Sequence, residues 1–347
     1  MILRRYYTYI IFFSLIYSDD IALDKYKNSN RSIGKITASI DRKYGDHSGN
    51  RVLTRIGNWG GIGDAGSSFS GVYPIGSGYA YFYEFTPVVA ASIVDTNGIR
   101  RHLVSDGVVA SALVDDSPEG VPWGFEPLPG YANPNQEYLA MSDKEDSWPD
   151  SWPNRDDDWN GYWNGQYGKY TRADQESYFV MDDYYNKEIA FWPDENDTSD
   201  EGRRGLGVEI ESRGYQWNHP AAEDIIIMTY WITNVGTNTL DSVVFGMYGD
   251  ADVGGSSDFS DDDAYFDTDL DMVFQWDHDG WSNSYGGFKP IYFGWCFLES
   301  PGNPYDGIDN DGDGMIDESQ FNGIGDDGDW DIDRDDIGAD GLAPYHI

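Results

Sequence analysis

Glu223-Asp224-Ile225-Ile226-Ile227-Met228-Thr229-Tyr230-Trp231-Ile232-Thr233-Asn234 is the clearest β signal in the chain. Ile, Thr, Tyr and Trp fit a pleated, half-buried surface better than a helix, and turn formers bound the run at Asn234-Val235-Gly236-Thr237-Asn238. Leu240 to Tyr248 follows as a second apolar run. Two such runs joined by a polar Gly/Asn turn predict a β-hairpin. Upstream, Arg51 to Gly60 alternates as a strand and stops at a glycine cluster. Tyr79 to Phe85 and Val88 to Val94 are two further β runs, and Asn97-Gly98 is a hairpin turn before Arg100 to Val104. Short strand, glycine turn, short strand predicts a mainly β protein: a β-sandwich-like, multi-stranded antiparallel architecture with long ordered loops.

Composition narrows the function. The 347 residues hold 62 Asp and Glu against 22 Lys and Arg, a net charge of −40 that repels nucleic acid and anionic membranes alike. Divalent cations, a saline exterior or simple solubility account for such a charge. With 26 Tyr and 13 Trp it is too aromatic to be a disordered acidic polymer. Cys296 is the single cysteine, which excludes an internal disulfide framework and a thiolate zinc site. It lies in the apolar run Ile291 to Leu298 and is expected to be buried and inert.

The organisation expected is fourfold. Residues 1–18 have the form of an export signal: Arg4 and Arg5, then the apolar run Ile10 to Tyr17, too short to span a bilayer. Residues 19–50 read as a linker, 51–300 as the β domain, and 301–347 as an Asp/Gly-rich segment. An integral membrane protein is not expected; a secreted or cell-surface one is. Within the β domain, residues 118–200 carry Trp123, Trp148, Trp152, Trp159, Trp163 and Trp192 among Pro, Asp, Asn and Gly. That stretch is too aperiodic for helices and too aromatic for a free linker, so an ordered insertion packed by its own tryptophans is expected.

The C-terminal segment carries the strongest ligand pattern. Asp309, Asp311 and Asp313 alternate, Gly314 permits a sharp turn, the Met315 carbonyl comes next, and Asp317 or Glu318 closes the shell. Gln320 stands where a helical calcium hand has Glu, so the loop is of another kind. A degenerate copy follows, with Asp327, Asp329, Asp331 and Asp333 as its candidate ligands. A second calcium site is expected where the Leu240–Tyr248 run ends, at Asp250 and Asp252, with Asp258, Asp261, Asp262 and Asp263 in the next loop. Asp277, His278 and Asp279 are consecutive and cannot all face one ion, so His278 reads as a surface histidine flanked by acids. No catalytic residue is assigned. Asp174, Glu176, Asp182 and Asp183 around one short strand supply the alternative, a carboxylate pair of a secreted glycan-active hydrolase.

Asn58-Trp59-Gly60-Gly61 to Tyr73-Pro74, Ala173 to Ser177, Arg204 to Val208, Ile232 to Gly236, Asp250 to Gly254 and the Asp309 loop together carry a resemblance. The chain resembles large, uncharacterised exported bacterial surface proteins that end in a C-terminal sorting domain, and its Asp309 loop resembles thrombospondin-repeat and dockerin calcium loops. The resemblance implies β-sandwich modules and export. No strand-rich sorting module follows before Tyr345-His346-Ile347, which implies a truncated member. The function expected is that of a non-catalytic, calcium-binding extracellular protein in surface architecture, adhesion or glycan contact, with calcium and extracellular glycans or other surface proteins as partners.

Overall fold

Fourteen strands organise the computed structural model, in chain order β1 (Ile10–Tyr17), β2 (Tyr44–His47), β3 (Thr54–Gly57), β4 (Glu84–Val94), β5 (Arg100–Asp106), β6 (Glu126–Pro127), β7 (Ala140–Met141), β8 (Gln175–Asp182), β9 (Val208–Gln216), β10 (Ile225–Asn234), β11 (Asp241–Asp250), β12 (Asp262–Asp267), β13 (Met272–Asp277) and β14 (Phe293–Glu299). The structure describes residues 10–17, 41–63, 70–95, 97–108, 123–187, 203–255, 257–268, 270 and 272–299. The loops expected at Asp309–Glu318 and Asp327–Asp333 lie outside the described residues.

The large sheet runs β12-β13-β14-β1-β10-β9-β8-β6, with β7 also on β8. A three-stranded sheet, β11-β4-β5, packs on it, and β2 and β3 form a separate pair. The architecture is mainly β and sandwich-like, as the strand pattern predicted. The core lies between the sheets: Phe85, Val89, Ala91 and Ile93 of β4 meet Phe179, Met181, Val208, Ile210, Ile226, Met228 and Tyr230, all buried. Phe85 lies 5.3 Å from Phe293 of β14, ring centre to ring centre, and Tyr230 lies 5.1 Å from Phe245 of β11. Side chains alternate across each strand, so β8 sends Phe179 and Met181 into this core and Tyr178 and Val180 to the opposite face.

On that opposite face lies the tryptophan-rich insertion. Trp152 and Trp163 are buried against Tyr178, 5.9 Å apart edge to face, and Trp148 packs beside them. Each indole finds an acceptor: Trp148 donates to the Met141 carbonyl, Trp152 to the Tyr162 carbonyl and Trp163 to Glu176. The Arg213 guanidinium lies 4.0 Å above the Tyr178 ring and donates to the Asn164 carbonyl, fastening the insertion to β9. All eight residues of β8 are therefore buried, because both faces of the sheet are covered there.

Three sequence expectations need correction. The runs before and after Asn234 are not a hairpin. β10 pairs with β9 and β1, whereas β11 pairs with β4 in the other sheet. The backbone N–H groups of Val235 and Gly236 both donate to the Gly207 carbonyl, which holds the turn against the start of β9 and sends the chain across the core. Second, Tyr79 to Phe85 and Val88 to Val94 are not two strands: β4 begins at Glu84 and runs through Pro87. Third, folding reaches back before Arg51, because β2 pairs with β3. Gln175 and Gln216, buried at the ends of β8 and β9, accept from the Ser48 and Gly49 N–H groups, and His47 hydrogen-bonds Ser177 at 2.8 Å. Burial lowers the His47 pKa to about 4, so it sits in the core as a neutral ring.

The sheet is also not wholly antiparallel. β1 lies parallel to both β10 and β14, with Ile11 opposite Ile225 and Gly294. A run cut off near Ser18 cannot also be an interior strand of the mature sheet, so the export-signal and strand uses of residues 10–17 exclude each other. At about 1 kcal/mol per hydrogen bond, losing two ladders is a large loss. A chain beginning at Asp19 is expected to melt well below the full chain, and equal melting temperatures would remove β1 from the fold. Trp152→Ala is expected to cost about 3–5 kcal/mol, the usual range for emptying a buried indole site, measured by denaturant unfolding. A loss under 1 kcal/mol would mean that the insertion does not brace β8.

Candidate functional site

The acids that converge lie at the end of the large sheet where β12 and β13 meet. β11 ends at Asp250, the chain turns through Asp252, Gly254 and Gly255, and β12 opens with Asp262 opposite Asp277, the last residue of β13. Two facing carboxylates at a strand end are thus set by register alone. One oxygen each from Asp261, Asp277 and Asp279 lie within 4.8 Å of one another. Oxygens bound to one calcium at about 2.3–2.6 Å stand no farther apart than about 5 Å, so this spacing fits a hard cation.

Each carboxylate of the floor divides its labour. Asp262 accepts the Val253 N–H at 2.8 Å through Oδ2, and its Oδ1 is buried without a partner. Asp277, 4% exposed, accepts the Gly280 and Trp281 N–H groups through Oδ1, while its Oδ2 is likewise unpartnered. Asp258 Oδ2 is a third buried bare oxygen, and it stands 3.2 Å from where a Cβ on Gly254 would be. Gly254 has φ 101°, so glycine answers both the backbone and the close approach. Ser282 donates to the Gly254 carbonyl at 2.6 Å and ties the two loops together.

Burial and crowding raise these acids. Asp262 is pushed up to about 7 by burial and by Asp252, Asp277 and Asp261, against the Val253 N–H, which lowers it. Asp252 rises to about 6 through burial and then Asp250, and Asp277 is raised by burial and by the Asp258 carboxyl that lies against it. A bare buried carboxylate oxygen amid like charge is the situation that a bound cation relieves.

Of the acids expected at this sheet end, Asp261 is the one that converges, and it does so with Asp277 and Asp279. Asp250 and Asp252 stand behind Asp262, and the converging oxygens come from Asp261, Asp277 and Asp279. Just past the end of β13, Asp277 and Asp279 each bring an oxygen to the cluster, whereas His278 turns away to Asp263 at 2.6 Å, a pair that raises the His278 pKa. The i, i+2 spacing after a strand was the available signal, obscured by treating three consecutive residues as one set.

The four acids of the hydrolase alternative are occupied otherwise. Glu176, 1% exposed, accepts from Trp163 Nε1 at 2.6 Å and from the Arg172 and Ala173 N–H groups. Asp183 is fully buried and accepts from Ser105, Leu206, Gly207 and Val208, fixing the Arg203–Gly207 turn. Asp182 pairs with Arg203, and Asp174 accepts the Asn218 N–H. None of the four lines the small cavity bounded by Gln166, Glu211, Arg213, Thr229, Tyr230 and Trp231, which is about 10 Å³, room for one water.

No known protein family matches this chain, and no curated protein or solved structure is similar to it. The site must be read from its own chemistry.

A group whose pKa is raised by folding binds its proton more tightly in the native state, so its contribution favours folding at low pH and is lost as pH rises. For Asp252 and Asp262 the window runs from their unfolded value of 3.8 up to about 6 and 7. Chelator-treated protein is expected to lose stability across that window in denaturant melts, and Asp262→Asn to flatten the loss. A pH-independent melt would show that these acids are not crowded as described.

Proposed function

We propose that this chain is a non-catalytic, calcium-binding β protein of the cell surface or the extracellular medium, in which the ion locks the β11–β12 and β13–β14 loops together. The observation that carries this reading is Asp277: a carboxylate 4% exposed, with one oxygen spent on two backbone N–H groups and the other bare among converging acids. A dication held by one oxygen each of Asp261, Asp277 and Asp279 would cancel repulsion along the Asp250–Asp279 chain of acids. Calcium suits the set better than a softer metal because every candidate ligand is a carboxylate or carbonyl oxygen.

An extracellular place is supported by the acidity, which matches a calcium-rich, saline medium, and by the Asp309 loop, whose spacing offers a further calcium site through Asp309, Asp311, Asp313, Met315 and Asp317. No helix among the described residues is long and apolar enough to cross a membrane. The hydrolase alternative lacks comparable support, since its acids hold the fold through hydrogen bonds.

A thermal melt with calcium and with chelator tests the proposal. At calcium a hundredfold above its dissociation constant, a rise of about 5–10 °C is expected for a domain of this size. Asp277→Asn should remove most of it. A chain with Asp309→Ala and Asp311→Ala that keeps the rise assigns it to the sheet end. A wild-type melt indifferent to calcium and chelator would sink the proposal.

A further inference from the structure

We infer that the ion held by Asp261, Asp277 and Asp279 is also a ligand-binding ion, presenting open coordination positions to a neutral saccharide with vicinal hydroxyls, which stacks on Trp281 and Phe259. The inference rests on the calcium reading above and names the ligand class of the same site.

The cluster is asymmetric. Asp277 is buried as its floor, whereas Asp261 and Asp279 are exposed at its rim, so the side of the ion opposite Asp277 faces solvent. Calcium takes about six to eight oxygens, more than three convergent carboxylates supply as single ligands. Water or a ligand must complete the shell on the open side.

Two exposed aromatic residues stand next to the rim acids along the chain. Phe259, two residues before Asp261, is 57% exposed, and Trp281, two residues after Asp279, is 51% exposed. The backbone N–H of Trp281 donates to Asp277 Oδ1 at 3.0 Å and to Asp279 Oδ1 at 2.8 Å, so the acids that would hold the ion also fix the tryptophan. The indole edge rests on Gly287, where a Cβ would stand 2.8 Å from it. Large apolar side chains held in water beside a polar centre mark contact sites. The exposed tyrosines of the insertion differ, because Lys169 lies over Tyr162 at 5.4 Å and Arg172 over Tyr170 at 5.6 Å, covering their faces.

Charge selects the ligand class. Asp250, Asp252, Asp258, Asp262 and Asp263 surround the site, and their field repels phosphates, carboxylates and acidic glycans. A ligand must therefore bring neutral oxygens. Adjacent sugar hydroxyls supply two to one ion, and the C–H face of the same ring can lie on an aromatic face.

The test is retention of the full chain on immobilised mannan, galactan and xylan, with millimolar calcium and then chelator, beside the calcium melt. Retention on at least one matrix in calcium, with release by chelator, is expected. Trp281→Ala should weaken retention about tenfold or more while leaving the calcium-induced rise in melting temperature intact. If wild type shows the melt rise but binds none of the three matrices, or binds them regardless of chelator, the inference is overturned and the calcium reading stands. Unchanged retention by both Trp281→Ala and Phe259→Ala overturns it as well. Absence of the melt rise overturns the calcium reading itself.

Discussion

The constraint on which this structure depends is that β8, and with it the centre of the large sheet, must be covered on both faces. Gln175 to Asp182 has no solvent-facing side, although it carries Gln175, Glu176, Ser177 and Asp182. Phe179 and Met181 are covered by the small sheet, and Tyr178 and Val180 by the tryptophans of the insertion. Glu176, on the insertion face, then needs donors, which Trp163 and the Arg172–Ala173 backbone supply. The insertion is thus a third layer, and its hydrogen bonds follow from the acid it buries.

Negative charge is managed in two distinct ways. Away from the β12–β13 end, Glu176 and Asp183 are surrounded by N–H and O–H donors, and Glu126 is paired with Arg42 at 2.6 Å. At the β12–β13 end the acids face one another, and several oxygens have no protein partner. The contrast separates acids fully satisfied by donors of the fold from acids left with unsatisfied oxygens.

Much of this was legible in the sequence. Branched and aromatic runs located β8, β10 and β11, Asn97-Gly98 located the β4–β5 turn, and the tryptophan spacing announced an ordered insertion. What was not legible is pairing. Nothing local distinguishes a hairpin return from a crossing to another sheet; here the Gly207 carbonyl decides it, a contact 28 residues upstream of Val235. β2 was hidden because Tyr44-Gly45-Asp46-His47 is polar and short, and its buried face is specified by Ser177, Gln175 and Gln216 far along the chain. The carboxylate site was half visible: clustering pointed to this sheet end, but only the Asp262–Asp277 register selects the residues that meet.

The parallel placement of β1 has a mechanical consequence. Its first residue, Ile10, sits beside Phe293, the first residue of β14, while β14 leaves the sheet at the opposite end. Tension that draws the chain before Ile10 and the chain after Glu299 apart pulls these neighbours along their length in opposite senses. Their ladder is then loaded in shear, every hydrogen bond sharing the force, where a hairpin pulled from its open end would unzip one bond at a time.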